Sequence, residues 1–205
     1  MKFFIIILAL VASILALPQS IFTPICPANF LQPHGKLPAG RSVTPENIFP
    51  ISYRRPREVF LPSKWAKITQ HDFCTIFNFE IENVQAHNKN CHLIFNFPPR
   101  RRDRKLYTIV GSSNFTFKTY NVLNAWAMPG NTTWETQPLW SSKPAVNKRL
   151  RPGKSYIIQQ EPCRIPFSKG RTVRSVLMCS ADSTFEFLES SEICPLGLFM
   201  IFTDD

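Results

Sequence analysis

The chain runs to 205 residues, 44% of them apolar and 18 of them Phe, which suits one domain with a sizeable core. Its 24 basic and 14 acidic side chains favour anionic partners, such as wall polysaccharide, phospholipid head groups or nucleic acid, with plain surface solubility as the simpler reading. Seven glycines and no glycine-rich loop argue against nucleotide chemistry.

In chain order, Met1-Lys2 leads into an apolar run from Phe3 to Leu10, and small residues end at Ala16. This is the pattern of a secretory signal peptide over 1–16, too short for a membrane span, with cleavage expected after Ala16. Losing Lys2 leaves 23 basic against 14 acidic side chains, a balance of +9. Residues 17–47 form a proline-rich N-terminal segment, and nine of the 18 prolines lie between Pro18 and Pro62. Proline lacks a backbone donor, so this stretch is expected to be extended and irregular.

A β-domain is expected over 48–205. Phe73, Thr75, Phe77, Phe79 and Ile81 share one face of a strand, opposite Asn78, Glu80 and Glu82. Cys91, Leu93, Phe95 and Phe97 alternate with His92 and Asn96. Such alternation predicts one buried and one wet face. Strands are predicted over 73–81, 91–97, 106–110, 114–120, 155–160, 172–179, 184–188 and 197–202. No window shows helical periodicity. The fold class is therefore all-β, an antiparallel β-sandwich of jelly-roll-like kind, with an open barrel as the alternative. Ile193 to Phe202 is apolar but too short to cross a bilayer, and reads as a buried strand.

Export places the six cysteines in an oxidising compartment, where they become candidate disulfides. Six cysteines allow fifteen pairings, among which sequence does not choose. The expected set is Cys91–Cys163, Cys179–Cys194 and, by elimination, Cys26–Cys74. His87, Cys91 and His92 are the tightest metal-like cluster, but no CxxC pair or HExxH helix supports it, so no cofactor is expected. Asn114-Phe115-Thr116 and Asn131-Thr132-Thr133 are glycosylation acceptors. Arg100, Arg101, Arg102, Arg104 and Lys105 read as a solvated hairpin turn, or as an anion-binding or processing loop. Nucleic-acid recognition is not expected, because no aromatic residue interleaves with this run.

Glu80 and Glu82 share a face without forming a recognisable catalytic pair, and no G-x-S-x-G elbow exists. Tyr120, Trp126, Trp134 and Trp140 crowd a stretch containing Gly130. Exposed rings there could stack on sugars, and Tyr120, Trp126 and Trp140 are the candidate ligand residues. The competing reading buries these aromatics as a cap on the sandwich.

Several motifs form an ordered set. They are Cys91-His92-Leu93-Ile94-Phe95, Tyr107 to Ser113 with Phe115, and Thr132-Thr133-Trp134 with Pro138. Pro152-Gly153-Lys154-Ser155-Tyr156 with Pro162-Cys163, and Pro195-Leu196-Gly197-Leu198-Phe199, complete it. Over roughly 48–202 this set resembles the fungal But-two C-terminal domain family, named after ubiquitin-3-binding protein. The resemblance implies a secreted fungal β-sandwich with no established catalytic residues. It also implies that Cys91 and Cys163 are a recurrent pair and that Trp134 belongs to a structural turn. The chain departs from the family at Cys163-Arg164-Ile165-Pro166, and Cys26, Cys74, Cys179 and Cys194 look like additions. The family name evokes ubiquitin-like binding, which an exported chain would not encounter. The expected function is a non-enzymatic secreted protein acting at a cell wall or host surface, with carbohydrate binding as the alternative and a hydrolase as a third.

Overall fold

The computed structural model describes residues 26–100, 106–120 and 126–204. The expected leader over 1–16 and residues 101–105 of the basic run lie outside them. The described chain is all-β. In order come β1 (Ser42–Val43), β2 (Asn47–Ser52), β3 (Trp65–Ile68), β4 (Phe73–Glu82) and one helical turn, α1 (Asn83–Ala86). Then follow β5 (Asn90–Phe97), β6 (Tyr107–Gly111), β7 (Asn114–Thr119) and β8 (Val146–Arg149). β9 (Lys154–Pro162), β10 (Arg171–Cys179), β11 (Ser183–Leu188) and β12 (Gly197–Thr203) complete the set. Among the described residues no helix is long and apolar enough to cross a membrane.

The strands form three antiparallel sheets, ordered β1-β12-β5-β9, β2-β4-β10-β7-β8 and β3-β11-β6. All eight predicted strands are present. The four that alternation missed, β1, β2, β3 and β8, each lie at a sheet edge. β2 contains Pro50, whose missing donor is tolerated because the strand pairs only with β4.

One phenylalanine core joins the three sheets. Phe95 of β5 lies 6.4 Å from Phe117 of β7 and 5.5 Å from Phe187 of β11, ring centre to ring centre. Phe77 of β4 stacks on Phe187 at 6.2 Å. Fully burying such rings contributes about 1.5–3 kcal/mol each.

The expected wet faces are not wet. Asn78, His92 and Asn96 are buried, because other segments cover the outer faces of both larger sheets. On the four-stranded sheet, Leu31 and Leu37 pack over Ile94, Phe199 and Ile201. Gln32 Nε2 donates to Asn96 Oδ1 at 2.5 Å, and Asn96 Nδ2 donates back to Gln32 Oε1 at 3.1 Å. On the five-stranded sheet, Phe49, Ile51, Tyr120, Ala127 and Leu177 form a second apolar layer. Asn78 Nδ2 donates to Ala127 O at 2.7 Å, and Ser175 Oγ donates to Asn78 Oδ1 at 2.7 Å. A buried amide without partners would be costly, so each of these side chains selects the segment that covers it. Residues 26–47 are thus part of the folded unit.

The six cysteines form Cys26–Cys194, Cys74–Cys179 and Cys91–Cys163. The expected Cys179–Cys194 and Cys26–Cys74 pairings are corrected. Register explains one correction. Met178 faces Thr75 across β4 and β10, so the next step of the ladder sets Cys179 beside Cys74. Cys194 lies beyond β11, which belongs to a different sheet, and there it anchors the N-terminal cover through Cys26. Gly35 allows that approach at φ +66°, since a Cβ on it would collide with Cys26.

Candidate functional site

The covered face of the five-stranded sheet leaves one open depression, a cavity of about 470 Å³. Its floor follows from strand register. Cys179 faces Thr116 and Leu177 faces Lys118 across β10 and β7, and the Cys74–Cys179 bridge lies beside them. Tyr53, Trp134 and Trp140 form its walls, and His71, Asp72 and Gln137 add polar groups at the rim.

Ring contacts and hydrogen bonds hold the walls. Tyr53 meets Trp134 edge to face at 5.4 Å and 80°, yet remains 63% exposed. Gln137 Nε2 donates to Trp134 O at 2.7 Å, and Tyr120 Oη donates to Gln137 Oε1 at 3.1 Å. Trp140 stacks on Tyr120 at 4.3 Å and 16°, with Lys118 Nζ 5.1 Å from its ring centre. The connection bearing both tryptophans is pinned to the loop after β2: the Glu135 N–H donates to Pro56 O at 3.1 Å, and Arg57 Nε donates to Glu135 Oε2 at 2.9 Å.

Asp72 supplies the carboxylate of this cavity. It accepts hydrogen bonds from Ser52 Oγ at 2.5 Å and from the Arg54 N–H at 3.2 Å. Burial raises its carboxyl, but these bonds and the charges of Arg54 and Arg55 outweigh that and hold it below the ordinary carboxylate value. It therefore stays an ionised acceptor and is a poor general acid at neutral pH. His71 stands beside it in a left-handed conformation, φ +58°.

Of the candidate ligand residues, Trp140 lines the cavity. Tyr120 is 3% exposed and serves as the buried support on which Trp140 lies. Trp126 is 52% exposed but is not part of the cavity wall. Trp134 serves both readings, as a fixed turn residue and as a wall. Tyr53, His71 and Asp72 were missed because they lie about 60 or more residues before the tryptophans in sequence; the pairing of β2 with β4 gathers them, and the Glu135 contacts with Pro56 and Arg57 bring the tryptophan connection to them. No local pattern carries that signal.

The remaining candidates fall elsewhere. Glu80 and Glu82 flank Arg171, whose Nη1 and Nη2 lie 3.2 and 3.7 Å from them. Asn114 and Asn131 are both exposed. Asn114 Nδ2 donates to Ser112 Oγ and Asp182 Oδ2, at 2.8 and 3.0 Å. His87 Nδ1 lies 3.2 Å from Ile165 O, while Cys91 is held in its disulfide. Among the described residues no three potential metal ligands gather.

The fold and site define a disulfide-stapled, all-β, sandwich-like domain with an aromatic-walled surface pocket. Residues 43–192 match the family model described as the ubiquitin 3 binding protein But2 C-terminal domain, and the chain belongs to that family. No curated protein matches it.

Proposed function

We propose that this protein is exported and binds glycan chains at a cell wall or host surface, without transforming them, through the Tyr53–Trp134–Trp140 pocket. The observation that carries this reading is the pocket itself. Two half-buried tryptophans and an exposed tyrosine flank an ionised Asp72, with Gln137 and Lys118 within the same cavity. Sugars present apolar C–H faces to aromatic rings and hydroxyls to such polar groups. Export is supported by the leader-like first sixteen residues and by three disulfides, which persist in oxidising compartments.

The family description names ubiquitin 3 binding. A disulfide-stapled exported chain does not share a compartment with a cytosolic ubiquitin-like partner, so that activity is not carried over. A hydrolase reading is weaker, since Asp72 is the one carboxylate among the pocket residues.

Pull-down on insoluble chitin, β-glucan and mannan, followed by calorimetry with soluble oligosaccharides, tests the proposal. Tyr53→Ala and Trp140→Ala should each weaken binding by about three- to tenfold, while Trp126→Ala should bind as wild type does. Absence of any glycan binding, or full binding by Tyr53→Ala, would overturn it.

A further inference from the structure

A second cavity, of about 540 Å³, opens between the two larger sheets where the end of β9 meets the first half of β10. Leu93, Val176 and Met200 line it, and all three belong to the inter-sheet core. The same lining carries three cations, Lys143, Arg164 and Arg174, and one carboxylate, Glu161.

Glu161 is already shared. It pairs with Lys143 Nζ and lies 3.5 Å from Arg174 Nη1. Arg174 Nη2 donates to Cys163 O, and its side chain is 11% exposed. Its buried Nε has no hydrogen-bond partner. Arg164 makes no ion pair among the described residues. It follows Cys163 at φ +52°, a backbone conformation that non-glycine residues seldom adopt. Strain of this kind persists only where the surroundings over-determine it, and here the Cys91–Cys163 bridge holds the preceding residue. Burial, and then the charges of Arg164 and Arg174, push the Lys143 amine below its ordinary value. The cluster therefore keeps an excess of positive charge beside an apolar floor.

We propose that this cavity binds a free organic anion with a carboxylate or sulfate head and an apolar tail. Lys143, Arg164 and Arg174 hold the head, and Leu93, Val176 and Met200 receive the tail. The cavity volume is within the usual range for small-molecule sites, and the mixture of apolar lining with a few convergent charges is their usual composition. The cavity shares Trp140 with the glycan pocket, but its cations are its own, since Lys143, Arg164 and Arg174 do not line that pocket.

Calorimetric titration of the mature chain with octanoate, 1-octanol and inorganic sulfate tests it. Octanoate should bind one to a chain. Octanol lacks the charge and sulfate lacks the tail, so each should bind at least about tenfold more weakly. Lys143→Gln and Arg164→Gln alter partly exposed side chains and should each weaken octanoate about tenfold with an unchanged circular dichroism spectrum. The proposal is overturned if wild type does not bind octanoate, if octanol or sulfate binds as tightly, or if the double variant binds like wild type. The octanol and sulfate comparisons need no variant, so they decide the matter even if a substitution perturbs folding.

Discussion

Glu189 gives this fold a stability that should decline as pH rises above 4.5. Its carboxylate fills the space where Gly197, at φ +117°, lacks a side chain, and a Cβ there would collide with it. Oε2 accepts the Leu198 N–H at 3.1 Å, while Oε1 is buried without a hydrogen-bond partner. Burial pushes the group well above its ordinary value of 4.5, against the smaller opposing effect of the Leu198 N–H. The folded chain then holds a proton that the unfolded chain releases. The contribution is fully present below pH 4.5 and is lost as pH rises toward the raised folded value, by up to about 1.4 kcal/mol per pH unit. His92 acts with the opposite sign. Burial lowers it from 6.5, so its contribution is full above pH 6.5 and is lost as pH falls. Between 4.5 and 6.5 the two trends oppose each other, and above 6.5 the Glu189 decline is no longer offset by His92 until the raised folded value is reached. Glu189→Gln removes the ionisation and keeps the shape. Urea unfolding followed by tryptophan fluorescence, with the disulfides intact, should place the variant within about 1 kcal/mol of wild type at pH 4.5. Its advantage should then grow by up to about 1.4 kcal/mol per pH unit, or roughly 3–6 °C in Tm. Parallel stability curves for the two proteins from pH 5 to 8 would refute the reasoning.

Other consequences are equally direct. Phe95→Ala empties the point where the sheets meet and should cost about 3–5 kcal/mol, measured by the same unfolding; a loss under about 1 kcal/mol would mean that the rings do not converge there. Non-reducing peptide mapping should recover Cys26–Cys194, Cys74–Cys179 and Cys91–Cys163, and a Cys179–Cys194 peptide would contradict the register of β10 on β4. Replacing Cys26 and Cys194 together by Ser should cost up to roughly 5 kcal/mol on the chain-entropy model and raise amide exchange at Ile94 and Ile201, while unchanged exchange there would show that the N-terminal cover holds without the bridge. Exposed Asn114 and Asn131 should carry glycans, so peptide-N-glycosidase should convert them to Asp in the secreted protein, and unconverted Asn at both sites would end that expectation.

What the sequence revealed of the fold divides along a physical line. Central strands have neighbours on both edges and apolar cover, so Phe-rich alternation marks β4 and β5, apolar alternation marks β10, and an apolar run marks β12. Edge strands answer to weaker demands. β8 is Val-Asn-Lys-Arg, β1 is two residues long, and β2 contains a proline; each satisfies only one partner, so propensity alone does not disclose them. Disulfide pairing was illegible for a related reason, since Cys74 meets Cys179 through a register that only the folded ladder defines.

The polar residues on the supposed wet faces carry the more general consequence. Alternation showed that Asn78 and Asn96 point away from the central core, and they do. It could not show that a second layer waits there. Two ends of the chain's loop inventory, the proline-rich 26–40 stretch and the tryptophan-bearing 126–140 connection, are drawn onto those faces by Gln32 and by the Ala127 backbone. The second of these coverings places Trp134 and Trp140 opposite Tyr53, with Asp72 at the rim. The pocket is thus a by-product of burying Asn78 correctly. Replacing that amide by an apolar side chain of similar size would free the Ala127 carbonyl and loosen the tryptophan connection before it disturbed the phenylalanine core, so the aromatic pocket and the hydrophobic interior are separable in this fold.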